Sequence, residues 1–259
     1  MDIRDALLVR RLALVTLAAE ALWLVLIVLA GVVEPGYSAV HDYISELGAS
    51  TASRPWIFEI AATIFGVAFV TTALALLIDG PNGWRGRTGP ILLALSGVCA
   101  IAEGFPLPLS CRPTMDVGCR ALGDAGHLPW QDTAHGWAYV IGGAAIALST
   151  IAMAWRFRGD ARWGRADLLS AACFLLSLPG LVALFVISPP PEAVHHGTAG
   201  LIQRVGVTMG GIWLTSLAIG VMAIHARDDD PVARYVRWLR TLPGGHLLAV
   251  PSSAHETTH

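Results

Sequence analysis

Leu12–Val33 reads LALVTLAAEALWLVLIVLAGVV, and this stretch decides the fold class. Its one ionisable residue is Glu20. As a helix rising 1.5 Å per residue it extends roughly 33 Å, enough to cross the hydrocarbon core of a bilayer. The run is apolar on all sides, without the 2- or 3.6-residue alternation of a half-buried soluble element. Five further blocks have the same character: Ile60–Ile78, Ile91–Leu107, Trp137–Phe157, Leu168–Ile187 and Val207–Ala226. Pro, Gly and polar residues separate them, as expected where the backbone can again meet water.

The composition agrees. Of 259 residues, 54% are hydrophobic and 14% charged, with a mean hydropathy of +0.60. A soluble domain carries roughly a quarter charged residues, so this chain lacks the polar surface to stay in water. The expected fold is an all-α polytopic transmembrane bundle of about six spans. Three regions follow: a cytoplasmic N-terminus at residues 1–11, a membrane domain at 12–226 and a cytoplasmic tail at 227–259. Arg10 and Arg11 precede the first span, but its length exceeds a signal-peptide core, so it reads as a retained anchor.

Arginine placement sets the expected orientation. Thirteen of the 17 basic residues, all arginines, fall on the side of the two termini and four on the other, namely Arg54, Arg112, Arg120 and Arg204. Both termini are therefore expected in the cytoplasm. Exclusive use of Arg over Lys is associated with GC-rich bacterial genomes, so the expected location is a bacterial inner membrane, crossed several times. A net charge of −2 gives no electrostatic case for nucleic acid. In the tail, Val232, Tyr235, Val236 and Leu239 recur at helical spacing among Arg234, Arg237 and Arg240. That pattern suits either an amphipathic helix on an anionic leaflet or a basic stop-transfer flank. The last dozen residues read as disordered.

Chemistry-bearing residues gather in the outer loops. His41 precedes span two, His135 precedes span four, and His195-His196 precede span six. All three spans run inward, so their N-terminal ends can converge in a bundle. His41, His135 and His196 would then be candidate metal ligands. Together with an acid such as Glu46 they would suit a zinc ion that keeps one position open for water. The competing reading has each histidine capping a helix or anchoring at the headgroups. In His41-Asp42-Tyr43-Ile44-Ser45-Glu46-Leu47-Gly48, His41 and Ser45 share a face on a helical turn, which would let His act as base to a Ser nucleophile. The alternative is a short interfacial helix whose polar groups satisfy loop backbone. Glu103, near the outer end of span three, needs a partner inside the bundle, and Arg204 is the expected one. Cys111 and Cys119 can close a disulfide on the oxidising side. Cys99 and Cys173, inside spans, are expected to be packing residues. Pro179-Gly180 is expected to kink span five.

The His41…Ser45-Glu46-Leu47-Gly48 string after a first span resembles the signature of bacterial membrane proteins grouped as domain of unknown function 998. The likeness continues in Gly104-Phe105-Pro106, in Asp132…His135 and in Gln203-Arg204, over roughly residues 12–226. It implies a six-span helical fold and carries no activity. More distantly, outer-face His, Ser and acid residues on a small bundle are similar to ceramidase-like membrane hydrolases, which use zinc. Their His-x-x-x-His is replaced here by adjacent histidines, which lie about 100° apart on a helix.

Three functions are therefore carried forward. The first is a metal-assisted hydrolase acting on a lipid or lipid-linked substrate, with candidates His41, Ser45, Glu46, His135, His196 and Arg204. The second is a small transporter or lipid-handling protein, with Glu20, Glu103 and Arg204 along a path. The third is a non-catalytic sensor or accessory subunit. No phosphate loop, dinucleotide fingerprint or Gly-x-Ser-x-Gly elbow occurs, so nucleotide-driven and serine-hydrolase chemistry on known templates lack support.

Overall fold

The computed structural model describes residues 3–81, 83–158, 160–163, 166, 168–173, 175–176 and 198–225. They form helices joined by turns and loops, with no strand among them. We number the α-helices α1 (Ile3–Val33), α2 (Pro55–Asp79), α3 (Trp84–Gly104), α4 (Val117–Asp124), α5 (Trp130–Phe157) and α6 (Ala199–Ile224). A 3-10 turn at Ile44–Gly48 precedes α2, and described helical residues within 166–176 lie between α5 and α6. Four of these helices, α1, α2, α5 and α6, are long and apolar enough to cross a membrane. The third expected span falls on α3, which carries Arg85, Arg87, Pro90 and Glu103 and does not reach that level. The fifth lies largely outside the described residues, as do Pro179-Gly180 and the tail. α1 starts at Ile3 instead of Leu12, so the polar N-terminus continues the first helix.

Each helix packs on the next through α1, α2, α3 and α5, while α6 returns to α1. Bulk sits outside: Leu24, Val25, Val28 and Val32 of α1 are all more than half exposed. Small residues sit inside, as in membrane bundles, where close backbone approach replaces the hydrophobic drive. The α2–α3 contact is a clear case. A Cβ on Gly66 would lie 2.4 Å from the Gly97 carbonyl oxygen, and one on Gly97 would lie 2.7 Å from that of Gly66. Thr16 of α1 adds hydroxyl contacts of 2.9 Å to both Thr71 and Thr72 of α2.

Pro90 has no N–H to offer the Gly86 carbonyl four residues back. Arg156 of α5 fills that gap, donating from Nη1 to Gly86 O at 2.8 Å and from Nη2 to Leu76 O at 2.8 Å. One side chain thus satisfies a broken turn in α3 and a terminal carbonyl of α2. Beside it, Asp79 Oδ1 lies 2.8 Å from His225 Nε2 and 3.4 Å from Arg162. Arg162 also pairs with Asp160 at 2.9 Å and holds that carboxyl below its ordinary range. Trp213, Trp163, Phe157 and Leu76 are buried in one core, which also holds Cys173.

Candidate functional site

At the opposite end, the segments 34–54 and 105–129 and the start of α6 build a cap. Its layers are joined by carboxylates. Glu34 pairs with Arg112 and accepts from Ser53 N–H at 2.7 Å. Asp132, in the first turn of α5, accepts from Ser110 N–H at 3.0 Å. Ser50 N–H donates to Leu109 O at 2.8 Å. Asp42 and Glu46 are fully buried and grip one residue, Thr114. The Thr114 N–H donates to Glu46 Oε1 at 2.8 Å, while its hydroxyl lies 2.9 Å from Asp42 Oδ1 and also contacts Glu46 Oε2. A hydroxyl carries one proton. It can donate to one of the two carboxyls and must then accept from the other, so the pair shares one retained proton. Burial is the larger effect and places that proton on Glu46, pushing its carboxyl up to about 7, although the Thr114 hydrogen bonds to its ionised form pull the other way. Burial also raises the phenols of Tyr37 and Tyr43.

The α6 end is fastened by Gln203 and Arg204. Ile44 N–H donates to Gln203 Oε1 at 2.6 Å. Arg204 donates to the carbonyls of Ala39 at 2.7 Å, Gly200 at 3.1 Å and Asp42 at 3.2 Å, and also bonds the Tyr37 hydroxyl. Two glycines allow the fit: a Cβ on Gly200 would lie 2.3 Å from Asp42 O, and one on Gly48 would lie 2.2 Å from the Phe58 ring.

Beneath the 3-10 turn lies a cavity of about 180 Å³. The helices line it at helical spacing: Phe58, Ala62, Phe65 and Phe69 from α2; Ser96, Ala100 and Glu103 from α3; Tyr139, Gly142 and Ile146 from α5; Gln203, Gly206 and Gly210 from α6. Each stripe runs over two to three turns, so the cavity is roughly 10 Å long. Its inner wall is aliphatic and aromatic, with Trp23 stacked on Phe65 at 4.6 Å and Phe69 edge-on to Phe65 at 4.7 Å. Ser45, Glu103, Tyr139 and Gln203 make its cap end polar. Behind Glu103 stands buried His135, with Nε2 at 4.0 Å from Glu103 Oε2 and Nδ1 at 2.7 Å from Leu107 O. The carbonyl can only accept, so Nδ1 carries the proton.

The sequence profile described as protein of unknown function (DUF998) matches residues 17–220, from the middle of α1 to near the end of α6. The chain belongs to the DUF998 family. No curated protein and no solved structure matches it.

In this DUF998 protein the residues singled out from the sequence end up in different places. Ser45 and Glu103 reach the cavity, with His135 beside Glu103. Glu46 and Arg204 sit in the cap's hydrogen bonds, so Arg204 does not pair with Glu103. His41 lies in the turn after Ser38, its N–H donating to Ser38 O at 3.2 Å. Tyr43 is extended, with φ −63° and ψ 146°, and the 3-10 turn starts only at Ile44. His41 and Ser45 therefore do not share one helical turn. His195 and His196 lie outside the described residues. Among the described residues no group of three or more His, Cys, Asp or Glu side chains is placed to hold a metal ion. Cys111 and Cys119 form a disulfide that ties α4 to the loop before it, and Cys99 is buried among packed helices. Glu20 does not line the cavity; its Oε1 is buried with no hydrogen-bond partner, and its other oxygen lies against Gly211. Sequence reasoning missed Thr114, Tyr139 and the aromatic wall. Phe58, Phe65 and Phe69 do repeat at i, i+7 and i+11, and Tyr139 stands four residues after His135, so those signals were present.

Proposed function

We propose that this DUF998 protein handles a small amphipathic, lipid-like molecule within the membrane, holding it in the capped cavity between α1, α2, α3, α5 and α6. The observation that carries this reading is the cavity itself: apolar and aromatic over most of its length, with a few convergent polar groups at one end, the usual make-up of a ligand site. Gln203 spends its carbonyl on Ile44 and keeps its amide N–H groups for a guest. Ser45 supplies a hydroxyl at the same end. A 150 Å³ apolar cavity takes up benzene, so the room here suits a ring or short branched body. In this reading both termini face the cytoplasm and the cap faces outward in a bacterial inner membrane. The arginine excess at the other end and the disulfide at the cap support that orientation.

Gly206 offers the direct test, since it lines the cavity and a Cβ there meets nothing within 4 Å. Native mass spectrometry of protein purified in mild detergent should find an amphiphile bound to wild type and absent from Gly206→Phe. Equal occupancy in both proteins would refute the reading.

Metal-assisted hydrolysis of a lipid-linked substrate is a second reading, favoured by Ser45 and Glu103 meeting at one cavity with His135 alongside. It requires His196 to join His41 and His135 around zinc. Stoichiometric zinc lost in His135→Ala and His196→Ala would support it; metal-free protein whose melting temperature is indifferent to chelator would remove it.

A further inference from the structure

We propose that the guest of this cavity is a lipophilic monocation, an apolar body bearing one protonated amine or quaternary ammonium group, held against Glu103. The inference rests on the cavity reading above and names the charge of the ligand. A carboxylate inside a membrane bundle normally pairs with a resident cation. Arg204, the partner expected from the sequence, is instead engaged with the Tyr37 hydroxyl and three carbonyls. The one ion-pair contact Glu103 makes among the described residues is His135 at 4.0 Å, beyond hydrogen-bond reach. His135 spends its Nδ1–H on Leu107 O, and its other ring nitrogen stays too far from Glu103 to bond it. The carboxyl group therefore lines the cavity without a hydrogen-bonded counter-ion among the described residues.

The walls complete the argument. Trp23, Phe58, Phe65, Phe69 and Tyr139 place five aromatic rings around a space of about 180 Å³ that Glu103 also lines. Ring faces attract cations, most strongly when both are removed from water. A neutral guest would leave the Glu103 carboxylate uncompensated, and an anion would be repelled by both the carboxylate and the rings. An ammonium group at Glu103, with its apolar body along the α2 aromatics, uses both the carboxylate and the rings.

The test compares two molecules of one shape: benzyltrimethylammonium and its uncharged isostere neopentylbenzene. Affinities are measured on the full-length protein in a neutral maltoside detergent, by calorimetry for the cation and by competition for the isostere. Wild type should bind the cation at least tenfold more tightly. Glu103→Gln should lose that preference while binding the isostere as wild type does, which also shows that the variant is folded. Equal affinities in wild type, both abolished by Gly206→Phe, would overturn the cation assignment and leave the cavity reading standing. No binding of either molecule to wild type would overturn both.

Discussion

Glu46 shows how one proton can hold two loops together. Thr114 has a single hydroxyl hydrogen to divide between Asp42 and Glu46, and both carboxyls are fully buried. The folded protein therefore keeps Glu46 protonated to about pH 7, whereas the unfolded chain releases that proton near 4.5. With its folded pKa raised, Glu46 contributes stability that is present in full below pH 4.5 and is lost as pH rises toward 7. The loss is on the order of 2–4 kcal/mol. Thermal midpoints in detergent should fall across that window for wild type and fall less for Glu46→Gln, whose amide can donate to Thr114 at every pH. A wild-type profile flat from pH 4.5 to 7 would contradict the shared-proton geometry. Thr114→Val removes the bridge while keeping the shape and should cost about 2–3 kcal/mol at pH 5, read as a lower midpoint and faster proteolysis within 105–129. Little of this was legible beforehand. Glu46 and Asp42 stood out by charge, but their partner lies 68 and 72 positions away, in a loop with no periodic pattern to place it.

Helices were legible because lipid enforces long apolar runs; their ends and joints were not. α2 begins at Pro55, whose missing N–H costs nothing in a first turn, and not at Ile60, where the apolar run starts. α3 begins at Trp84 and carries Pro90 through its second turn, because Arg156 answers the carbonyl that the proline leaves unpaired. This yields a prediction about two residues on different helices. Arg156→Leu strands the Gly86 and Leu76 carbonyls and should destabilise by about 2–5 kcal/mol. Pro90→Ala restores an N–H that can satisfy Gly86, so Pro90→Ala/Arg156→Leu should be more stable than Arg156→Leu alone. A double-mutant cycle on melting temperatures checks this, and strict additivity would dismiss the compensation. The Cys111–Cys119 link acts on a neighbouring element. It closes a short loop against α4, and its loss in Cys111→Ser/Cys119→Ser should cost about 2–3 kcal/mol, with new protease cuts confined to 105–129.

The whole molecule has two chemically different ends. One is closed by Arg156, Arg162, His225 and Asp79 around backbone carbonyls, the other by carboxylates gripping a disulfide-tied cap. The arginine count fixes which end a translocating chain would keep inside, and a disulfide persists only where the compartment is oxidising. The two arguments are independent and predict the same orientation, with the cap outside and the arginine end in the cytoplasm. Single added cysteines can decide it, because Cys99 and Cys173 are buried and the other two native cysteines are bonded to each other. Ala125 follows α4 in the cap and Arg158 follows α5 at the other end, and both are exposed. In intact cells a membrane-impermeant maleimide should label Ala125→Cys and spare Arg158→Cys until the membrane is permeabilised. The reverse pattern would turn the bundle over, open the cavity's polar end to the cytoplasm, and require its guest to be a cytoplasmic molecule.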